Sequence, residues 1–322
     1  MASAMTPAPA PVRTAHQAAV FLSPHLDDAV FSCGGLISRL AEQGCRPLVI
    51  NVFSRAGVDF RTSAGTDDTR IEEEHAVSGY LGFCVRFVGE CDAWFRKDAY
   101  KSLSGLFMAD PRSYAQELER IRSAIAAALR DVSCDVVYAP LGIGWHVDHL
   151  LTHLAARSLI DPGRLRFYED APYMLLPHLQ EYRLAELDPR RPVRTGGSSF
   201  RHARRAGRHY AATEVIRSRF RPWLRPFVRP FLDAWFHRLL RSGTGRVGGP
   251  LALEPVVEDV TAALDSKVHA CALYRTQFPQ FFGSARECSE MLRAYSAGIG
   301  SDRSYWERYW TPCPDRPDAA AG

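Results

Sequence analysis

The chain lacks several things that would have set its class at once. No apolar run approaches the ~18 residues of a membrane span. Met1 to His16 is rich in Ala and Pro, with no basic stretch leading into an apolar core, so it reads as a disordered lead-in rather than a signal peptide. A cytoplasmic protein is expected. Eight cysteines are present, Cys33, Cys45, Cys84, Cys91, Cys134, Cys271, Cys288 and Cys313, but no two are spaced as CxxC. That argues against a thiolate zinc site or a disulfide framework and for buried free thiols. Between Arg190 and Arg246 there is no lysine, and the only acids are Glu214 and Asp233 against fifteen arginines. This segment carries +13 of a chain whose net charge is +4, leaving the remainder at −9. The asymmetry points to a local anionic partner rather than a generally basic surface.

What is present is alternation. Ala18 to Ser23 is a continuous apolar run, as expected of a strand buried on both faces. Val30 to Glu42 reads as a helix, Pro47 to Ser54 as a strand, Asp67 to Leu81 as a helix and Phe83 to Val88 as a strand. Ser113 to Arg130 has Leu118, Ile121, Ile125 and Leu129 at helical spacing. Asp135 to Leu141, His149 to Leu159 and Leu165 to Tyr168 continue the pattern as strand, helix and strand. The expected fold class is α/β: a Rossmann-like, doubly wound, mostly parallel sheet. The stretch from Arg190 to Gly249 breaks the alternation. Pro222, Pro226 and Pro230 recur every four residues and argue against a regular helix there, with a short amphipathic helix expected over Phe231 to Leu240. Leu251 to Phe282 reads as helical, with Asp259, Asp265 and Lys267 at polar positions.

Two His/Asp clusters stand at the exits of strands. The first is Pro24-His25-Leu26-Asp27-Asp28, and the second is His146-Val147-Asp148-His149. Open parallel sheets bind ligands outside the carboxyl ends of their strands. Alone, either cluster fits an N-cap or a solvated loop; together they form a candidate metal site. His25 and Asp28 are three apart on a turn opening a helix, so both reach one side, and an imidazole with a carboxylate suits zinc. His149 is the best candidate for a third ligand. Asp27 is then left beside the ion, placed to take a proton from water. His146 faces substrate, where it stabilises an oxyanion or protonates a leaving amine. Asp148 orients one of the imidazoles.

These residues resemble the LmbE-like or PIG-L family of metal-dependent N-acetylglucosaminyl deacetylases, which includes antibiotic-tailoring enzymes. The family's (A/S)-H-P-D-D-E motif with a Gly-Gly pair is matched by Ser23 to Ala29 with Gly34-Gly35, and its H-P-D-H by His146 to His149. An R-x-x-E helix leading to Leu-Gly is matched by Arg70, Glu73 and Leu81-Gly82. Leu26, Ala29 and Val147 depart from the pattern, and Gly144 stands where some members have tyrosine. The resemblance implies His25, Asp28 and His149 as zinc ligands, Asp27 as general base, His146 as oxyanion stabiliser or acid, and Arg70 as a substrate contact. It covers residues 18 to 175 and continues weakly over Val257 to Tyr274.

The organisation then expected is a lead-in over 1–16, an LmbE-like α/β catalytic core over 17–189, an Arg/Pro-rich insertion or lid over 190–249, a C-terminal helical part of the same domain over 250–314 and a tail over 315–322. The expected activity is zinc-dependent removal of an N-acetyl group from an amino sugar or its conjugate, in secondary metabolism. The partner is a small-molecule amino-sugar substrate, anionic or acylated, with no nucleic acid, since no RNA- or DNA-binding motif accompanies the charge. An alternative in the same chemistry is an amidase cleaving a larger acyl group, with Trp223, Phe227 and Trp235 making room for it. An alternative from another class is a Rossmann-like nucleotide-binding protein using Gly34-Gly35, although G-x-G-x-x-G spacing is lacking.

Overall fold

The computed structural model describes residues 18–55, 67–109, 114–188, 190–191, 193, 199–212, 216–217, 220–242, 250–300 and 304–313. The lead-in over 1–16, the tail over 315–322 and residues 243–249 of the expected insertion lie outside the described residues. In chain order come β1 Ala19–Ser23, α1 Asp28–Glu42, β2 Leu48–Asn51, α2 Asp67–Leu81, β3 Cys84–Phe87, α3 Ala93–Arg96 and α4 Leu103–Phe107. Then follow α5 Ala115–Leu129, β4 Val136–Pro140, α6 Val147–Leu159, β5 Leu165–Tyr168 and α7 Leu179–Leu187. The remainder contributes α8 Ser199–Ala211, α9 Arg225–Ser242, β6 Leu253–Asp259, α10 Leu264–Leu273, α11 Phe278–Phe281, α12 Ala285–Ala297 and β7 Trp306–Pro312.

Seven strands form one sheet in the order β3-β2-β1-β4-β5-β7-β6. The first five are parallel, and β7 pairs antiparallel with both β5 and β6. The α/β fold read from the alternation is therefore present, with β1 and β4 adjacent at the centre. That adjacency decides the site, because the two His/Asp clusters leave these two strands on the same edge. β1 and β4 are buried along their whole length, as helices on both faces require.

Two expectations for the later chain are corrected. The helical reading from Leu251 fails at its start, where Leu253–Asp259 is an edge strand paired residue for residue with Trp306–Pro312. Pro255 interrupts any helix there but is tolerated on a sheet edge, and Val256-Val257 favours extended backbone. Helix begins only at Leu264. Conversely, the prolines do not prevent a helix over Arg225–Ser242. Pro226 occupies the first turn, where its missing N–H is an orphan anyway, and Pro230 lies on the exposed side. Leu232, Phe236, Leu239 and Leu240 are buried as α9 packs on α8. At roughly 1.5–3 kcal/mol per buried side chain, this outweighs the one lost hydrogen bond.

Lys267 is corrected too. It is fully buried in α10 and donates to Glu307 Oε1 at 2.8 Å, Tyr305 OH at 2.9 Å and Ser32 O at 3.0 Å. Glu307 in turn accepts from the backbone N–H of Gly35 and Leu36. Here the Gly-Gly pair acquires its meaning. A Cβ on Gly34 would sit 3.0 Å from Lys267 Cγ, and one on Gly35 would sit 2.8 Å from Glu307 Oε1 and Val260 Cγ2. The pair lies inside α1 and lets this ion pair approach; it is not a strand-to-helix phosphate loop. All eight cysteines are free thiols, but only Cys33, Cys271 and Cys288 are buried and the other five are half-buried.

Candidate metal centre

At the exit of β1 the backbone N–H of His25 donates to Asp28 Oδ2 at 2.8 Å, and the Ala29 N–H donates to Ser23 Oγ at 3.0 Å. This turn folds Asp28 back onto His25 as α1 begins. At the exit of β4, Gly142 (φ 84°), Gly144 (φ 88°) and Trp145 (φ 59°) take left-handed backbone. A Cβ on Gly144 would stand 2.6 Å from the Tyr173 ring, so glycine is required twice over. The strained Trp145 is held by burial and by its indole N–H donating to Glu186 Oε2 at 2.7 Å. His146 caps α6: its Nδ1 accepts the Asp148 N–H at 3.3 Å.

The two exits meet. His25 Nδ1 lies 3.0 Å from Asp28 Oδ2, and His149 Nε2 lies 3.3 Å from the same oxygen. One ligand atom from each of His25, Asp28 and His149 falls within a 4.8 Å cluster. A second set, His25, His146 and Asp148, meets the same criterion. The outer ring nitrogens separate them. His25 Nε2 lies 3.1 Å from Asp148 Oδ2, and His149 Nδ1 lies 2.7 Å from Asp170 Oδ1. Both imidazoles of the first set thus have one nitrogen held by a buried carboxylate and the other turned toward Asp28, the arrangement by which metal-ligating histidines are oriented. Asp148 is already occupied: Oδ2 accepts the Ala93 N–H at 2.9 Å and Oδ1 accepts Arg96 Nη2 at 2.8 Å. The donor set His25, Asp28 and His149 therefore fits a divalent ion.

The electrostatics agree. Burial works against charge on both ligand histidines, but Asp148 and Asp28 raise His25 well above the ordinary value, and Asp28 and Asp170 push His149 up to about 9. Burial would likewise raise Asp28, yet His149 and His25 hold it well below the carboxylate range. A cage this anionic draws in positive charge. Asp27 behaves oppositely: burial, then its neighbour Asp28, pushes it up to about 6, with Arg70 working against them. His146 is pushed down to about 3, mainly by burial, and is neutral. Since its Nδ1 accepts a hydrogen bond, its proton is on Nε2.

The structure thus brings together His25, Asp27, Asp28, His146, Asp148 and His149, with Arg70 close enough to act on the charge of Asp27. The Arg70 Nε is buried without a hydrogen-bond partner among the described residues. Four contributors were missed. Asp170 accepts from the Gly142 and Ile143 N–H groups as well as facing His149. Its signal was available, since Glu169-Asp170 directly follows β5, another parallel strand. Arg96 and Asp92, whose Oδ2 lies 3.6 Å from His25 Nε2, come from a connection with no motif. Tyr173, from the segment after β5, supplies a ring 5.7 Å from that of His149, where Gly144 leaves room. Nearby, Glu74 accepts from Asn51 Nδ2 at 2.8 Å and Tyr274 OH at 2.5 Å, and burial pushes it up to about 8. A raised carboxyl pKa makes folding take up a proton between the unfolded value near 4.5 and about 8, so this contribution to stability declines as pH rises through that window. Glu74→Gln is expected to match the wild type at pH 5 and to be more stable by roughly 4 kcal/mol at pH 9, checked by denaturant melts.

Residues 20–160 match the family described as PIG-L, GlcNAc-PI de-N-acetylase. These residues belong to the PIG-L family. The chain is 35% identical over 164 residues to the 2'-N-acetylparomamine deacetylase of Streptomyces fradiae. That match spans 48% of this chain and 57% of the relative, so the chain covers little more than half the relative's length. To solved structures the likeness is one of fold. A deacetylase–bog complex from the teicoplanin biosynthesis pathway superposes with a TM-score of 0.63 at 18% identity, covering 94% of this chain and 100% of that one. The zinc-inhibited form of the teicoplanin deacetylase Orf2 gives 0.61 at 18% identity, covering 93% and 99%. Among the described residues no helix is long and apolar enough to cross a membrane.

Proposed function

We propose that this protein is a zinc-dependent N-deacetylase that removes the acetyl group from an amino sugar or amino-sugar conjugate in secondary metabolism. The observation that carries the reading is the convergence of His25 Nδ1, Asp28 Oδ2 and His149 Nε2, each imidazole backed by a buried carboxylate, in a PIG-L domain. His25, Asp28 and His149 hold the ion. Bound there, zinc supplies Lewis acidity toward an amide carbonyl and lowers the pKa of water. The chain's own groups do the rest. Asp27, buried and raised toward neutrality, accepts the proton of the attacking water. Neutral His146 presents its Nε2–H to the carbonyl oxygen as charge develops. This favours oxyanion stabilisation over amine protonation, because a histidine pushed down to about 3 holds no spare proton near pH 7. Asp148 and Asp170 orient the two ligand imidazoles, and Arg70 biases Asp27 and faces the substrate.

One observation favours the second reading, an amidase for a larger acyl group. An apolar pocket of about 770 Å³, counted out to its open mouth, adjoins the His146 side and is lined by Phe107, Tyr173, Tyr210, Trp235 and Leu239 among others. The Phe107 ring lies 5.3 Å from that of His146 and 5.5 Å from that of Trp235. Of the three aromatics expected to make room, only Trp235 lines this pocket. Trp223 and Phe227 are exposed, at 64% and 67%, because α9 turns Leu232, Trp235, Phe236 and Leu239 inward. Helix α8 leaves Arg201, Arg204, Arg205 and Arg208 exposed, suited to an anionic substrate group. Amine release from N-acetyl and long-chain N-acyl amino sugars, free, nucleotide-linked and glycoside-linked, tests the two readings. The acetyl substrates are expected to turn over faster, with Trp235→Ala changing their kcat/KM less than about threefold. A preference for long acyl chains, lost by about tenfold in Trp235→Ala, would instead establish the amidase.

A further inference from the structure

Asp148 is fully buried, and its orientation is imposed from a segment that no motif marks. Arg96, at the end of α3, has a side chain 5% exposed and donates Nη2 to Asp148 Oδ1 at 2.8 Å. Its Nε donates to Glu117 Oε2 at 2.5 Å and its Nη1 to Cys91 O at 2.6 Å. The guanidinium lies 4.9 Å from the Phe53 ring centre and 5.3 Å from that of Tyr100. Glu117, on α5, also accepts from Tyr100 OH and Lys97 Nζ. All three guanidinium nitrogens are thus engaged, in a fork that only arginine provides. Asp148 Oδ2, held by the Ala93 N–H, is left facing His25 Nε2. The chain of contacts runs Glu117, Arg96, Asp148, His25, and it ends on a ring whose other nitrogen faces Asp28 and His149.

We propose that Arg96 is a positioning residue of the metal centre: braced by Glu117, it fixes Asp148 and thereby the ring plane and tautomer of His25. This rests on His25 being a metal ligand as proposed above. Arg96 hydrogen-bonds to none of His25, Asp28 and His149 and does not line the apolar pocket. Its effect is therefore expected on metal affinity and kcat rather than on substrate binding.

The test compares wild type, Arg96→Lys, Asp148→Asn and the double variant, all stripped of metal. Zn²⁺ affinity is read by competition with a chromophoric chelator, and site geometry by the visible spectrum after Co²⁺ loading. Arg96→Lys keeps the charge but cannot span Asp148, Glu117 and Cys91 together. It is expected to lose about 10–100-fold in Zn²⁺ affinity, to shift the Co²⁺ bands and to keep KM within about threefold. The double variant is expected to bind Zn²⁺ no more weakly than Asp148→Asn alone, because Arg96 acts through Asp148. Wild-type affinity and spectrum in Arg96→Lys, or losses that multiply in the double variant, would overturn the proposal. If Arg96→Lys does not fold, Glu117→Gln takes its place: it loosens the brace, and a loss of about three- to tenfold supports the proposal while an unchanged affinity refutes it. A wild-type protein that binds no zinc removes the metal reading itself, and this inference with it.

Discussion

Replacing Asp27 by asparagine is expected to lower kcat about 10³-fold and to leave the bound metal in place. The two neighbouring aspartates differ in their surroundings. Asp28 Oδ2 is where both ligand imidazoles and the His25 N–H converge, and it is held ionised. Asp27 is buried beside it, outside both sets of clustered ligand atoms, and is pushed up to about 6 by burial and by Asp28. A carboxylate so placed is a proton acceptor rather than a ligand. Asparagine keeps the shape and removes a charge whose burial is unfavourable, so the variant's melting temperature is expected to equal or exceed that of the wild type. Metal analysis beside turnover separates the roles: loss of metal together with activity would make Asp27 a ligand, and near-normal activity would remove it from the chemistry.

Stripping the metal with a chelator is expected to abolish turnover by more than about 10³-fold, and added Zn²⁺ to restore it. The apo protein is expected to stay folded, because β1 and β4 and their helices pack independently of the site, but to melt at a lower temperature. An ion bound only by the folded state stabilises it by about 4 kcal/mol at a thousandfold excess over Kd. Without the ion, the buried carboxylates Asp28, Asp148 and Asp170 are balanced by Arg96 and by protons on His25 and His149, which metal binding displaces. Activity that survives exhaustive chelation, with unchanged melting, would contradict this.

How much of this was legible in the sequence follows the range of the interactions. The bounds of α2 came from local pattern, as did β1 and β4, whose short apolar runs fit strands buried on both faces. The clusters at their exits then gave His25, Asp28 and His149, since spacing and fold place them on one sheet edge. What escaped depends on distant partners. Lys267 looked like a surface residue because Glu307 lies 40 positions away. The edge strand Leu253–Asp259 is extended because β7 pairs with it, and nothing local announces β7. The helix through Pro226 and Pro230 forms because its inner face is covered, an energy that a proline rule does not contain. Arg96 was invisible as a site residue for the same reason: its partners Glu117 and Asp148 lie 21 and 52 residues along the chain.

The central claim is that one divalent ion sits between His25, Asp28 and His149, with Asp27 beside it. Anomalous diffraction at the zinc edge from crystals of the zinc-loaded protein addresses it most directly. The account predicts one strong peak bonded to His25 Nδ1, an Asp28 carboxylate oxygen and His149 Nε2, with Asp148 and Asp170 behind the two rings. A peak bonded instead to His25, His146 and Asp148, or no peak at this sheet edge, would contradict it.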